Sequence, residues 1–185
     1  MKKLSKAQRQ KDLVELLNGD PFYTDEELSS LFNVSIQTIR LDRMSLNIPE
    51  LRERLKVIAE TQGSKVKTLG RTELVGEMLE LSVGHLGISM LETTEDMVYT
   101  KTNTIKDTQV FAMAMSIAMA VVDAPQVVMH SAYIKRNAAV GKDDRLIAKA
   151  EIDKVEDGDY FVKVVINSRE IDEAFKGEFV FRELD

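Results

Sequence analysis

The stretch from Thr108 to Val122, "TQVFAMAMSIAMAVV", constrains the fold more than any other part of this chain. From Phe111 to Val122 it carries no ionisable side chain. A helix that is apolar on every side must be buried by the rest of the molecule. Four strand-like stretches follow it: "QVVMHSAYIKRN", "DRLIAKAEIDKVE", "DYFVKVVINSRE" and "EAFKGEFVFREL". They are punctuated by "VGKDD", "EDGD" and the turn region Glu170–Glu173. Before the helix, "GEMLELSV", "GISMLET" and "DMVYTKT" alternate in the same manner. One buried helix followed by long antiparallel strands predicts an α+β domain, a sheet wrapped around a helix.

The first 46 residues follow the period of helices. A first helix is expected from about Ser5 to Leu17, with Leu13, Leu16 and Leu17 along its apolar edge, broken by "NGDP". Thr24, with Glu27 three residues on, forms a capping box for a second helix whose Leu28, Leu31 and Phe32 face inward. Asn33 suits a left-handed turn. Ser35 caps a third helix, with Ile36, Ile39 and Leu46 near one face. Helix, short turn and helix with a polar outer face is the helix-turn-helix arrangement. Ser35, Gln37 and Thr38 lie at the end that enters a major groove, where amides and hydroxyls meet base edges. Arg40 and Arg43 extend the reach to guanine or phosphate. Lys2, Lys3, Lys6 and Arg9 form a basic arm for the DNA backbone or minor groove. A solvated three-helix bundle is the plainer alternative, and the agreement of turn, caps and polar face favours DNA.

Charge supports the division. Residues 1–67 hold twelve Lys/Arg against ten Asp/Glu, whereas residues 68–185 hold thirteen against twenty-one. A small polyanion-binding module on a larger acidic body fits that asymmetry. Between them, Leu51, Leu55 and Ile58 recur at i, i+4 and i+7 through "ELRERLKVIAE", an amphipathic helix. It either packs on its own winged-helix body or pairs with a second copy. The expected domains are 1–47 for DNA binding, 48–67 for the linker helix and 68–185 for the sheet-and-helix body. No apolar run reaches eighteen residues, and no apolar segment follows the basic start, which argues against a membrane span and a signal peptide. The absence of cysteine fits a cytoplasmic protein, and the isolated His85 and His130 make no metal site.

The helix-and-sheet pattern resembles the hotdog fold of acyl-CoA thioesterases and dehydratases. With "TDEELSSLFNVSIQTIRLDR" and "NIPELRERLKVIAE" before it, the chain resembles the FapR family, bacterial repressors of fatty-acid and phospholipid synthesis that respond to malonyl-CoA. The resemblance covers essentially the whole chain. It implies a winged helix-turn-helix joined to a hotdog domain, a homodimer, a palindromic operator, no cofactor, and malonyl-CoA or another acyl-CoA as effector. Family members carry Ala-Arg-Gly where a strand turns into the central helix, the arginine neutralising the malonyl carboxylate. In "TIKDTQVFAMAMS", Lys106 matches that arginine, Asp107 the glycine, and Met115 a family asparagine. Tyr99, Phe111 and Val128 correspond to the apolar wall. Lys106 can neutralise a carboxylate as a point charge, whereas Asp107 repels one and adds a side chain where glycine permits close approach.

An enzyme is the rival: a hotdog thioesterase fused to a helix-turn-helix, with Asp107 activating water at the start of the buried helix. An acidic residue there also simply complements the helix dipole. A phosphorylated-sugar effector would suit the helix-turn-helix but not the apolar helix. The expectation is therefore a non-catalytic effector domain in a dimeric repressor.

Overall fold

The computed structural model describes residues 5–184. The chain divides into two compact units, with the boundary between Ile58 and Ala59. It falls inside one helix, so the expected linker straddles it.

The first unit is helical. Helix α1 (Lys6–Gly19) starts where the Ser5 hydroxyl accepts from the Gln8 amide and stops before Pro21. Helix α2 (Asp25–Phe32) has its capping box: the Thr24 amide donates to Glu27 at 2.7 Å, and the Glu27 amide donates to the Thr24 hydroxyl at 3.1 Å. Asn33, at φ 51°, takes the left-handed turn, and Ser35 caps α3 (Ile36–Ser45). Leu13, Leu17, Leu28 and Ile39 make the core of this unit. Leu31, expected to face inward, is 55% exposed. In so short a helix Leu28 and Phe32, at i and i+4, already fill the inner stripe.

The expected wing has no counterpart, because the described residues of this unit contain no strand. Only residues 46–50 separate α3 from α4 (Leu51–Gly63), too few for a hairpin. Leu55 is buried within the single chain, while Leu51 and Ile58 are half-buried. The Arg54 guanidinium, also buried, donates to the carbonyls of Pro21 (3.0 Å), Tyr23 (2.6 Å) and Pro49 (2.6 Å). Those three bonds pin the first turns of α4 to the helical head, and Leu55 is covered without a second copy.

The second unit is one antiparallel sheet around α5 (Asp107–Ala120). Its strands are β1 (Glu77–Ser82), β2 (Leu86–Glu92), β3 (Val127–Arg136), β4 (Arg145–Glu156), β5 (Asp159–Asn167) and β6 (Phe175–Glu183). They run in the order β1-β2-β4-β5-β6-β3. Met113, Ala114, Ile117 and Ala118 of α5 pack among Ala148, Ala150, Val162, Val164 and the phenylalanines of β6. Alternate strand residues therefore supply one continuous inner face. Gly87 of β2 permits the helix to come close, since a Cβ there would lie 2.7 Å from Val121 and 2.9 Å from Ile117. The apolar helix is enclosed, as its sequence requires.

Two further observations bear on function. "DMVYTKT" is not a strand: it forms a short 3-10 turn at Glu95–Met97 and then irregular chain, touching the sheet pattern only through an isolated Val98–Ile105 bridge. Its alternation reflects Met97 and Val98 packing inward from a loop. Strand β3 lies at the sheet edge, paired only with β6, and exposes Val128, Met129 and Tyr133.

Candidate functional site

The helical head sorts its polar residues into those that build and those that remain free. The Ser35 hydroxyl accepts from the Thr38 amide at 3.2 Å, and the two hydroxyls lie 2.9 Å apart, so both are occupied at the start of α3. Gln37 is exposed. The Arg40 side chain is 54% exposed, with Nε 3.4 Å from Asp25. Lys6 is exposed on the first turn of α1, and Lys2 and Lys3 lie outside the described residues.

Arg43 and Arg9 are largely buried in ion pairs. The Arg43 side chain is buried and grips Asp25 with two hydrogen bonds, at 2.7 and 2.8 Å, while Nη1 donates to the Ile48 carbonyl. Arg9 Nε donates to buried Asp42 at 2.6 Å, and Gln10 donates to the other oxygen of that carboxylate at 2.8 Å. Burial would raise both carboxyls, but hydrogen bonds and charge outweigh it: from Arg43 and Arg40 at Asp25, and chiefly from Arg9 and Gln10 at Asp42. Both therefore lie below the usual carboxylate range. Their ionised forms contribute stability above the unfolded-state pKa, and that stability is lost as pH falls through the lower folded values. The head should accordingly lose its helical signal as pH drops below about 4. Circular dichroism melts at a series of pH values test this, and melting of the head unchanged down to about pH 2 would refute it.

The second unit gathers charge at the start of α5. Lys106 is the N-cap residue, and its ammonium donates to the Asp96 carbonyl at 2.6 Å. Asp107 opens the helix and accepts from the Tyr99 hydroxyl at 3.2 Å and from Arg136 Nη2 at 2.5 Å. Arg136 comes from the end of β3, also donates to the Ile105 carbonyl, and lies 5.0 Å above the Phe175 ring. The Arg136 hydrogen bond is the main cause that holds the Asp107 carboxyl below its usual range. Arg136 thus joins Lys106 as a second cation at this end of the helix.

Phe111 stands one turn further along α5, its ring 6.0 Å from Phe179, and Met115 is half-buried against the same core. Val128 is not brought to this cluster. It sits eight residues from Arg136 along β3, roughly 26 Å at strand rise. Within the chain, then, Tyr99, Lys106, Asp107 and Arg136 form one group, Phe111 and Met115 line the helix behind it, and Val128 stands apart. An Asp107 carboxylate held ionised by a guanidinium and a phenol is a weak base for activating water. Among the described residues no cluster suits a metal ion.

No protein-family model matches the chain. It is 46% identical over 183 residues to Transcription factor FapR of Thermoanaerobacter sp. (strain X514), covering 99% of this chain and 91% of that protein. It is 40% identical over 177 residues to Transcription factor FapR of Bacillus subtilis (strain 168), covering 95% and 94%. Among solved structures, a sigma28-regulated virulence protein from Campylobacter jejuni matches 70% of this chain and 92% of its own, with TM-score 0.61 and 26% identity. A hypothetical thioesterase from Streptococcus pneumoniae, solved with coenzyme A, matches 61% and 89%, with TM-score 0.55 and 16% identity. That last likeness speaks for the fold of the sheet-and-helix unit alone.

Proposed function

The chain belongs to the FapR family of transcription factors, and from that membership we propose how its two units divide the work of a repressor of fatty-acid and phospholipid synthesis genes. The helical head reads a palindromic operator through the exposed face of α3, with Gln37 and Arg40 as its polar readers and Lys6 and the basic residues before it on phosphates. A reader of this kind works without a wing, since α4 follows α3 directly.

The sheet-and-helix unit binds an effector of the acyl-CoA class, with Tyr99, Lys106, Asp107, Phe111, Met115 and Val128 as its candidate residues. A homodimer forms along β3, whose bare edge and exposed Val128, Met129 and Tyr133 invite a second copy. Pairing along that edge supplies each site with residues from both chains, which gives Val128 a role its own chain denies it. Repression is relieved by linkage: an effector that prefers the DNA-free arrangement weakens operator binding by its differential affinity. No helix among the described residues is long and apolar enough to cross a membrane, and a repressor of this class works in the bacterial cytoplasm.

The observation that carries this reading is 46% identity over nearly the full length to a named transcription factor, joined to a capped α3 whose Gln37 and Arg40 are exposed. Gln37→Ala and Arg40→Ala should each weaken specific operator binding by roughly 1–3 kcal/mol, whereas Lys6→Ala should weaken all DNA about equally. Gel-shift titrations that leave all three variants at parental affinity would show that α3 is not the reader. Thermal stabilisation by malonyl-, acetyl- and long-chain acyl-CoA, measured side by side, tests the effector class. A flat response to all three defeats it.

A further inference from the structure

On α3 the sequence places Leu41 and Met44 where a soluble helix would ordinarily carry polar groups. They are 56% and 71% exposed, among the most exposed large apolar residues described. Gln37, Leu41 and Met44 recur at i, i+4 and i+7, so they share one face, opposite the buried Ile39, Asp42 and Arg43. The other hydroxyls of the helix are engaged elsewhere. Ser35 and Thr38 bond each other, and Ser45 accepts from Gln10 and donates to the Asp42 carbonyl. What α3 offers outward is one amide, one guanidinium and two apolar side chains.

We propose that Leu41 and Met44 read thymine 5-methyl groups in the major groove, beside an adenine read by Gln37. This rests on the DNA-reading role of α3 and specifies its chemistry. The thymine methyl is the apolar group that the major-groove edges present, and a glutamine amide pairs with the N6 and N7 of adenine. An A·T pair thus offers both partners for the face that α3 displays. Charge complementarity favours DNA over a protein surface as the occupant. Arg40 flanks the strip on α3, its side chain 54% exposed. The apolar strip is therefore edged by a cation suited to phosphate.

Deoxyuridine isolates the effect, because it differs from thymidine only by the methyl group. The full chain would first select duplexes from a random pool, and each thymine of a selected duplex would then be replaced singly. The unaltered protein should lose roughly three- to fivefold in affinity at one or two positions per half-site, the worth of one buried methyl. Leu41→Ala or Met44→Ala should weaken binding to the thymine duplex by a similar factor and become indifferent to deoxyuridine at the matching position. Both residues are exposed, so the variants should melt as the parent does. Tight binding to the selected duplex with no deoxyuridine effect at any position would overturn the proposal while leaving DNA reading intact. So would equal losses by both variants on the two duplexes, accompanied by a change in oligomeric state, which would assign the strip to protein contact. Failure to select any duplex would remove the DNA-reading role itself, and the proposal with it.

Discussion

Arg43→Ala is expected to cost the helical head about 3 kcal/mol, the lower end for an ion pair broken from one side, because Asp25 is only partly buried and keeps its Arg40 contact. DNA binding should vanish even though this side chain does not reach the surface. The substitution leaves Asp25 without its bidentate partner, keeps only the 3.4 Å contact from Arg40, and removes the donor to the Ile48 carbonyl. The head has a core of few residues, centred on Leu13, Leu17, Leu28 and Ile39, so its reserve of stability is small. Affinity should fall for every sequence alike, and the sheet-and-helix unit should melt unchanged. An Asp25→Leu/Arg43→Met double variant should regain much of the lost melting temperature, because replacing both members with apolar groups removes the stranded charge. If Arg43→Ala instead melted as the parent and lost only sequence preference, Arg43 would be a base contact after all.

The second large effect concerns Asp107. Its pairing with Arg136 and Tyr99 commits the guanidinium to Asp107 and sets a carboxylate beside any effector carboxylate, while Lys106 spends one of its three donors on the Asp96 carbonyl. The unaltered protein should therefore bind malonyl-CoA weakly. Asp107→Gly releases the guanidinium and removes a like charge, and should raise malonyl-CoA affinity by about tenfold or more, the worth of one charge-assisted hydrogen bond. Acetyl-CoA, which has no carboxylate, should gain far less. Arg136→Ala in the same background should cancel the gain, whereas Lys106→Ala should have a smaller effect. Calorimetry with the two ligands separates the outcomes. Tight malonyl-CoA binding by the parent, lost in Asp107→Gly, would mean that the aspartate holds the site together.

What the sequence disclosed and what it hid follow from the range of the interactions. The Thr24–Glu27 box, the Asn33 turn and the Ser35 cap were legible because each partner lies within three or four residues, and the enclosed α5 because its apolarity admits no exposed face. Strands β1 to β6 announced themselves by alternation and turns. The pairs that decide which arginines are free were hidden. Arg43–Asp25, Arg9–Asp42 and Arg136–Asp107 span 18, 33 and 29 residues, and only packing brings them together. An arginine at a strand end, with an aspartate opening the helix, was the one faint signal for the last pair. Leu31 and "DMVYTKT" misled for the opposite reason: local pattern said inward or extended, whereas Leu28 and Phe32 already fill the inner stripe of α2 and the chain turns into a 3-10 helix at Glu95–Met97.

The bare edge of β3 also has a consequence at birth. A newly folded lone chain presents unpaired backbone beside Val128, Met129 and Tyr133, a template for any passing strand. In the proposed homodimer, the interval between release from the ribosome and pairing with a second copy is then the chain's period of greatest risk of aggregation. That interval lengthens as copy number falls, because pairing is a second-order event.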